Sequence, residues 1–405
     1  MTVAIIAEYN PFHAGHKYHI DEIRRAFGDD TSVIAIMSGN YTQRGEPAFA
    51  DKFKRAEWAC LSGVDLILEL PFPYSMSSAE LFARSAVSII ASLGKVDAIS
   101  FGSESGSLDE LIKISDNMLS EEYNNKFREF TECDELKNLG HPAISEAAYR
   151  TVFPESISDS FFRPNNILAL EYIKAIKSLA PNLKIHTVKR LGADYSDEKL
   201  LQDSHASAMG IRRALAEGSN EYISHIPQEM KESFLKSLEN GEFPSLEDKL
   251  SSAVISHLRL NSPELNKNIF DAGGGLYNRL RNASFDTDTI SSLIACAMTK
   301  KFTNSRIRRS VYYSFFGVTS SSVKELPEYT QVLALNENGR MLLKSIKKNC
   351  GISILTKPSA TSRLSKAAIR QKELADKADS VFQLTLPGHR SGVYDVLSKP
   401  FVKHS

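Results

Sequence analysis

The sequence predicts an α/β fold, with a parallel sheet in its first half and a mainly α-helical region after it. Apolar runs of strand length alternate with helical patterns up to about residue 190, as in βαβ units. After residue 195 the weaker run Ile352–Leu355 is the single further strand candidate, and prolines punctuate helical patterns. A chain of 405 residues holds roughly two or three domains. We therefore expect one domain over 1–195 and a mainly helical region over 196–405.

Five segments are strand candidates in the first half. They are Val3–Ala7, Ser32–Met37, Leu66–Leu70, Ala98–Phe101 and Lys184–Val188. Between them, Lys52–Leu61 and Ala79–Leu93 have helical periodicity and are followed by Gly63 and Gly94, which favour helix ends. The segment 117–140 is rich in charged and amide residues, so we expect an excursion from the core there.

Composition indicates a globular protein of the cytoplasm. Lysine plus arginine and aspartate plus glutamate each number 49, which argues against a general nucleic-acid binder. The four cysteines lie far apart and without C-x-x-C pairs, which favours reduced thiols over disulfides or a zinc site. The first apolar run is too short for a signal peptide, and no apolar stretch reaches the ~20 residues of a membrane span.

The turn after the first strand candidate carries the strongest functional signal. Pro11 ends the strand, and His13 and His16 then lie three residues apart at the start of a predicted helix. Free N–H groups and the helix dipole make this place an anion site, and Gly15 lets a phosphate approach the backbone. Each imidazole can donate a hydrogen bond to charge on a transferring phosphorus. The turn therefore predicts a nucleotide site for attack at a phosphate.

An H-x-G-H pattern alone is weak, and two histidines that cap an ordinary helix are the alternative. The position after the first strand of an α/β domain favours a ligand site, since ligands bind beyond the carboxyl ends of parallel strands. Neither a P-loop nor a G-x-G-x-x-G turn is present in the sequence.

Longer motifs resemble the tRNA(Met) cytidine acetate ligase family, within the HIGH-type nucleotidylyltransferase superfamily. The similar blocks are Ala7–His19, Met37–Ala48, Gly63–Pro71, Phe101–Glu104, Arg163–Tyr172, Gly275–Leu280 and Thr299–Arg309. The resemblance covers nearly the whole chain. It implies that 1–195 is a Rossmann-like nucleotidylyltransferase domain that binds ATP.

The resemblance also implies the residues of the ATP site. His13 and His16 would stabilise the reacting phosphorus, and Lys17 would meet the departing pyrophosphate. The implied ATP contacts are Ile6, Ala7, Glu8, Tyr9, Asn10, Pro11, Phe12, His13, Ala14, Gly15, His16, Lys17, Tyr18, His19, Gly102, Asn165 and Arg190. Without the family, Gly102 would be a strand-ending glycine, one asparagine of the pair Asn165–Asn166 a helix N-cap, and Arg190 a surface residue.

Two positions depart from the family pattern. In the second phosphate signature, Ser207–Arg212, Met209 stands where a threonine is usual, and a methionine cannot donate to a phosphate. Gly274 stands where the family has an acidic residue before the block Gly275–Leu280.

Basic residues in the C-terminal third predict a polyanionic partner, with a tRNA-binding surface over about 299–372. One cluster is Lys300, Lys301, Arg306, Arg308 and Arg309. A second set lies between Glu337 and Glu373, a stretch without any acidic residue, and consists of Arg340, Lys344, Lys347, Lys348, Lys357, Arg363, Lys366, Arg370 and Lys372. The alternative is a solvated helix face over an aromatic core. We expect ATP and tRNA to occupy separate surfaces, with Tyr312, Tyr313, Phe315 and Phe316 either stacking on bases or, more simply, forming the core.

The reaction that the resemblance implies has two steps. Acetate attacks the α-phosphate of ATP, with Mg²⁺ on the departing phosphates, and acetyl-adenylate and pyrophosphate form. The N4 amine of the wobble cytidine in elongator tRNA(Met) then takes the acetyl group, giving N4-acetylcytidine. No protein partner, membrane or resident metal is inferred. The alternatives are a small-molecule adenylyltransferase and a non-catalytic, ATP-dependent RNA-binding protein.

Overall fold

A computed structural model describes the chain except for 134–135, 137–138, 155–160, 191–206, 263–267, 358–360, 363, 389 and 405. In the described part, eight strands form one mixed sheet. They are β1 (Thr2–Ala7), β2 (Ser32–Ser38), β3 (Leu66–Leu70), β4 (Ala98–Ser103), β5 (Lys184–Lys189), β6 (Tyr329–Leu335), β7 (Ser353–Leu355) and β8 (Phe401–Val402). The order across the sheet is β5-β4-β1-β2-β3-β6-β7, and β8 pairs with β6.

Sixteen α-helices surround this sheet among the described residues. Those of the first half are α1 (Ala14–Phe27), α2 (Lys52–Leu61), α3 (Ala79–Leu93), α4 (Leu108–Leu119), α5 (Glu121–Glu132), α6 (His141–Val152) and α7 (Pro164–Leu179). Those of the second half are α8 (Ala208–Ala216), α9 (Gln228–Glu239), α10 (Ser251–Leu260), α11 (Leu276–Phe285), α12 (Ile290–Ala297), α13 (Asn304–Phe316), α14 (Glu337–Ile346), α15 (Lys366–Phe382) and α16 (Tyr394–Leu397). None of the described helices combines the length and apolar character needed to cross a membrane.

The predicted fold class is confirmed. All five strand candidates of the first half form strands, and β1 to β5 pair in parallel. The predicted helices Lys52–Leu61 and Ala79–Leu93 have these bounds in the structure, and Gly94 ends the second in the left-handed conformation. The helix predicted after the first turn is α1.

Two strands were missed: the two-residue β8 and, with more effect on the fold, β6, which joins the same sheet from the C-terminal half. Strand β6 pairs antiparallel with β3, with Leu66 opposite Leu335. All seven of its residues are buried, so the apolar alternation that marks a half-exposed strand is absent. The expectation of no convincing strand between residue 195 and Ile352 was therefore wrong. The domain boundary itself lies in 191–206, outside the described residues, and stays a prediction.

Each face of the sheet carries its own apolar core. Along β1, Val3 and Ile5 pack with α1 and α2, whereas Ala4 and Ile6 pack with α3 and α7 on the other face. This alternation follows from the two-residue period of a strand. Within the predicted excursion, Tyr123 of α5 is buried in the second of these cores.

A third core lies in the helical C-terminal region, around α10 to α13 and α15. Tyr312, Tyr313 and Phe316 are buried in it, and Phe315 packs against it. These aromatic residues are therefore core residues rather than stacking partners for bases.

A buried ion cluster joins the two halves of the chain. The Nζ of Lys52 on α2 lies 2.8 Å from Glu69 Oε1 on β3 and 2.5 Å from Asp379 Oδ2 on α15. Asn40 Nδ2 donates to the second oxygen of Asp379 at 2.9 Å. Burial alone would lower the pKa of Lys52, but the two carboxylates outweigh burial and raise it. The lysine is therefore charged, and it neutralises carboxylates from both halves.

We expect Lys52→Ala to lower the free energy of unfolding by about 3–5 kcal/mol, because two buried carboxylates lose their counter-ion. Chemical denaturation measures the change. The matched control is Lys54→Ala on the same helix, which removes the more exposed pair Lys54–Glu57 and costs about 1 kcal/mol or less. Equal losses in both variants would contradict the role of the cluster.

Candidate active site

A cavity of about 1180 Å³ opens beyond the carboxyl ends of β1 and β4. These two strands are neighbours in the sheet, so the turns that follow them meet at one edge. The lining comes from the first turn, the ends of β4 and β5, the start of α7, and residues of the C-terminal half.

The backbone of the first helical turn fixes both imidazoles of the predicted motif. His13 is the N-cap of α1, and its Nδ1 accepts the Gly15 N–H at 3.0 Å. His16 Nδ1 accepts the His13 N–H at 3.3 Å. The two ring centroids are 3.9 Å apart. Because each Nδ1 is an acceptor, each neutral ring carries its proton on Nε2, where it can serve as a donor.

The capping interpretation is confirmed for His13, and it is compatible with the site interpretation, which stays a prediction. The N-cap role uses only one nitrogen of each ring, and both residues line the cavity. Burial, followed by the nearby charges of His13 and Arg190, holds the pKa of His16 well below its usual value. At neutral pH His16 is thus an uncharged donor beside a cavity with several arginines.

Arg55 on α2 holds the main chain of the turn in place. Its guanidinium donates to Glu8 O at 2.5 Å and to Ser38 O at 3.1 Å, and it also donates to Gly39 O. These carbonyls lie at the ends of β1 and β2, so one side chain fixes the ends of two strands. Burial lowers the pKa of Arg55 to about 10. Sequence reasoning missed this residue, since a single arginine in a helical pattern gives no signal.

The structure brings together the three implied ATP contacts outside the first turn. Gly102 lies opposite Val188 where β4 pairs with β5, and a Cβ there would be 3.3 Å from Arg190 Cγ. The Arg190 N–H donates to Ser103 O at 3.0 Å. Asn165, at the start of α7, lines the same cavity. These positions surround the end of β4.

The N-cap alternative for an asparagine of this pair was wrong. The N-cap of α7 is Arg163, and the free N–H groups of Asn165 and Asn166 are satisfied by Glu104. The carboxylate arrives from the end of β4, 61 residues earlier in the chain. Local sequence could not reveal this cap.

Most residues of the implied ATP site line the cavity. The residues that do not are Pro11, Phe12, Ala14 and Lys17. Phe12 is fully buried in the core, and Lys17 Nζ pairs with Asp21 at 2.5 Å. A contact between Lys17 and pyrophosphate stays a prediction, and it requires this side chain to leave Asp21.

The second phosphate signature also reaches the cavity. Ser207, Ala208 and Arg212 line it, whereas Met209 does not. Arg212 Nη1 donates to Asn10 O at 2.8 Å, which places its guanidinium beside the first turn. The departure at Met209 therefore leaves the arginine of the signature in place.

The loop before α11 contains a carboxylate at another position. Gly274 has a φ of +69°, which favours glycine over an acidic residue. Asp271, in the same loop, lines the cavity and lies 2.8 Å from Arg309 and 3.2 Å from Arg306.

The first basic cluster lies beside the cavity and is largely ion-paired. Arg309 is buried and bonded to Asp271, and Arg308 is paired with Glu247. Lys300 is exposed, and Lys301 lies over the Phe302 ring at 5.6 Å from the centroid.

The residues predicted for ATP and those of the first basic cluster do not form separate surfaces. Lys301, Arg306 and Arg309 line the same cavity as His13. The physical reason is the packing of α13 against the loop that contains Gly45. A Cβ on Gly45, whose φ is +85°, would be 2.6 Å from the Arg309 nitrogen.

The second basic set is mostly exposed. On and after α14, Lys344, Lys347 and Lys348 are exposed. Lys372 differs, because it is buried and bonded to Asp376. Arg363 lies outside the described residues.

Sequence reasoning missed the far end of the cavity. The charged or polar residues there are Glu80, His141, Ser145, Glu171 and Lys174. They come from α3, α6 and α7 and belong to no motif with a chemical signature. Only the packing of these helices brings them together.

A second histidine pair lies behind the motif. His19 Nε2 is 2.8 Å from Ser100 Oγ, which is 2.9 Å from His186 Nδ1. Burial, then the charges of His186 and Arg190, lowers the pKa of His19 to about 3. Burial also lowers the pKa of His186. Histidines of the unfolded chain, with a pKa of about 6.5, start to take up protons near that pH. In the folded protein both rings are still neutral at this pH.

We expect the stability to fall as the pH drops below about 6.5, because the unfolded state binds a proton at position 19 and the folded state does not. His19→Gln removes this difference. The slope of unfolding free energy against pH between pH 6 and 4 should become shallower by up to about 1.4 kcal/mol per pH unit. Urea titrations at several pH values measure both slopes, and carboxylates common to both proteins cancel. Identical slopes would contradict a neutral His19.

Comparison with known proteins shows extensive similarity. The pattern of the HIGH nucleotidyl transferase family matches residues 1–392. A tRNA(Met) cytidine acetate ligase of Caldanaerobacter subterraneus subsp. tengcongensis is 38% identical over 366 residues, with 88% of each chain covered. One of Acetivibrio thermocellus is 33% identical over 375 residues, again with 88% of each chain covered.

Solved structures are similar over the full length. The crystal structure of apo Thermotoga maritima TmcAL matches with a TM-score of 0.91 at 29% identity, covering 100% of both chains. TmcAL bound with alpha-thio ATP matches with a TM-score of 0.89 at 28% identity, also covering 100% of both chains. The similarity thus extends over both halves of the chain.

Proposed function

The chain belongs to the HIGH nucleotidyl transferase family, and within it to the tRNA(Met) cytidine acetate ligases, and we propose that it catalyses the reaction for which those relatives are named. It activates acetate with ATP and transfers the acetyl group to the wobble cytidine of elongator tRNA(Met) in the cytoplasm. The observation that carries the proposal is the pair of Nε2–H donors of His13 and His16 in a cavity that continues to basic residues of α13.

In the first step, a carboxylate oxygen of acetate attacks the α-phosphorus of ATP, and the bond from that phosphorus to the bridging oxygen of pyrophosphate breaks. Acetate already carries its charge, so this step needs no general base. Catalysis therefore depends on positioning and on donors to the phosphoryl oxygens. His13 and His16 supply two such donors, and the backbone holds them in place before the substrate binds.

In the second step, the N4 amine of cytidine attacks the acetyl carbonyl. A C–N bond forms, the bond to AMP breaks, and the amine loses one proton. The cavity supports this step, because its volume of about 1180 Å³ exceeds the ~300–1,000 Å³ of typical small-ligand pockets. The additional space extends toward Lys301 and Arg306, where an anticodon nucleotide would approach.

We propose that Mg²⁺ comes with the triphosphate. The described residues contain no group of three or more metal-binding side chains. Near the motif, Glu8 accepts the Gln43 N–H, and Glu46 is 3.3 Å from Arg212. This setting fits Mg²⁺, which usually keeps its waters and binds substrate phosphates with one or two carboxylates. The bound ion would neutralise phosphate charge.

The tRNA phosphates are proposed to contact Lys300, Lys301 and Arg306. Lys300 is exposed, and the other two residues line the cavity. Arg308 and Arg309 belong to the same predicted cluster, and their ion pairs with Glu247 and Asp271 fix α13 below this surface. Phosphate contacts position the RNA, and the choice of tRNA depends on unpaired bases.

The direct test of the function is to incubate the protein with ATP, acetate and total tRNA and to analyse the nucleosides by mass spectrometry. N4-acetylcytidine that requires all three components supports the ligase. AMP transfer to a small acceptor, without any modified nucleoside, would instead indicate the small-molecule adenylyltransferase.

We expect His16→Ala to raise the barrier of acetyl-adenylate formation by roughly 3–4 kcal/mol, the usual cost of one lost preorganised donor. Acetate-dependent exchange of pyrophosphate into ATP measures this step without tRNA. His13→Ala should lose the same step and also about 1 kcal/mol of stability, because His13 is an N-cap. His13→Asn is the matched control, since asparagine restores the cap. Near-normal exchange in His16→Ala would contradict the assigned role.

We expect Lys300→Glu with Lys301→Glu to abolish tRNA acetylation and to leave pyrophosphate exchange intact, because the first step does not involve tRNA. Wild-type tRNA binding should also weaken steeply with salt, with up to about one unit of log–log slope per phosphate contact. The control is Lys113→Glu with Lys236→Glu, the same charge change at exposed positions on α4 and α9. Unchanged acetylation in the variant of Lys300 and Lys301 would contradict this assignment, and the RNA surface would then lie elsewhere, most simply along Arg340–Lys372.

A further inference from the structure

The carboxylate of Glu104 accepts hydrogen bonds from three N–H groups at the start of α7. Oε1 accepts the main-chain N–H of Asn165 at 3.0 Å and its side-chain Nδ2 at 2.7 Å. Oε2 accepts the Asn166 N–H at 2.6 Å. Glu104 does not line the cavity, whereas Asn165 does. The carboxylate is therefore placed behind the residue that faces the ligand.

These contacts fix the rotation of the Asn165 amide. A carboxylate only accepts hydrogen bonds, so the end of the amide that faces it must be the NH₂ group. One carboxylate oxygen accepts both the main-chain N–H and Nδ2 of the same residue, which closes a small ring. Of the two Nδ2 hydrogens, the one on the main-chain side of the amide belongs to this ring and points to Glu104. The other hydrogen, which lies beside Oδ1, points away from Glu104.

A reciprocal contact keeps the carboxylate itself in place. Asn166 Oδ1 accepts the Glu104 N–H at 2.9 Å and the Ser105 N–H at 3.2 Å. Asn166 Nδ2 donates to Phe161 O at 2.9 Å. The end of β4 and the start of α7 are thus joined in both directions. A rotation of Glu104 would break several hydrogen bonds at once.

The exposed edge of Asn165 consists of one acceptor beside one donor. Among the residues that the structure describes, none donates a hydrogen bond to Asn165 Oδ1. An adenine base presents the complementary pair, an amino donor beside a ring-nitrogen acceptor, and asparagine commonly binds adenine in this bidentate way. Gly102, two residues before Glu104, lines the same cavity as Asn165.

We propose that Asn165 reads the adenine base of ATP and that Glu104 is the positioning residue that holds its amide in the adenine-reading orientation. A 6-oxopurine presents an acceptor where adenine has its amino donor, and on its Watson–Crick edge a donor where adenine has N1. Asparagine could bind that edge if its amide rotated by 180°. Glu104 prevents the rotation, because the rotated amide would turn Oδ1 toward a carboxylate oxygen.

The inference rests on the proposed function only in taking ATP as the nucleotide, and binding measurements test it apart from catalysis. Calorimetric titrations of the full chain with ATP, inosine triphosphate and 2′-deoxy-ATP, each with Mg²⁺, compare the base with the ribose. We expect ATP to bind roughly 5- to 150-fold more tightly than inosine triphosphate, which is the discrimination that one bidentate pair provides. The 2′-deoxy nucleotide should bind nearly as well as ATP.

Two variants separate the reading residue from the positioning residue. Asn165→Ala should weaken ATP binding and leave inosine triphosphate binding unchanged, so that the ratio approaches one. Glu104→Gln keeps the size of the side chain, but either placement of its amide leaves one main-chain N–H of Asn165 or Asn166 without an acceptor. The Asn165 amide is then held less firmly, so this variant should weaken ATP more than inosine triphosphate and narrow the ratio of the two affinities. A purely structural loss would weaken both nucleotides together. The control is Asp109→Asn, an exposed carboxylate in the first turn of α4.

Each outcome decides the assignment. A wild-type protein that binds both nucleoside triphosphates equally, or a preference that survives Asn165→Ala, overturns the adenine contact while the ligase activity can still be measured. A selective loss with 2′-deoxy-ATP would assign Asn165 to the ribose and overturn the inference. Equal weakening of both nucleotides in Glu104→Gln overturns the positioning role. Absence of any ATP binding would overturn the proposed function itself.

Discussion

The structure depends on one buried positive charge, the ammonium group of Lys52. It lies between Glu69 of the central sheet and Asp379 of the last long helix, so the two halves share one ion cluster. Two such carboxylates without a counter-ion would be costly in a water-free interior. The cluster also restricts its surroundings, because a Cβ on Gly39 would be 2.7 Å from Glu69 Oε1. The main chain after β2 is therefore fixed where it meets the active-site turn.

In the active site, hydrogen bonds to the main chain hold the polar side chains in place. The imidazoles of His13 and His16 accept main-chain N–H groups, and Arg55 donates to main-chain carbonyls after β1 and β2. Because these partners are main-chain groups, the side chains that carry the donors are held in place before a substrate arrives. A site of this kind suits phosphoryl chemistry, where positioning and charge neutralisation supply most of the catalysis.

Sequence reasoning succeeded where the signal is local and failed where it is long-range. Leu66–Leu70 was predictable because it is a largely apolar run of strand length between helical patterns. Tyr329–Leu335 was not, since burial of every residue removes the periodic pattern. The motif histidines were found from their spacing, but the cap of α7 was misassigned because its carboxylate comes from Glu104. Arg309 was read as a surface charge, and only packing reveals that it is buried and paired with Asp271.

The antiparallel pairing of β3 with β6 has a consequence for synthesis of the chain. The strand that contains Leu66 gains this neighbour only after Leu335, almost 270 residues later, has been synthesised. At about 5–20 residues per second, the ribosome needs roughly 15–50 s to supply it. During that time β3, in which every residue except Glu69 is apolar, presents an open edge of the kind that templates aggregation. Docking of the C-terminal half, which supplies β6, then covers this edge of β3.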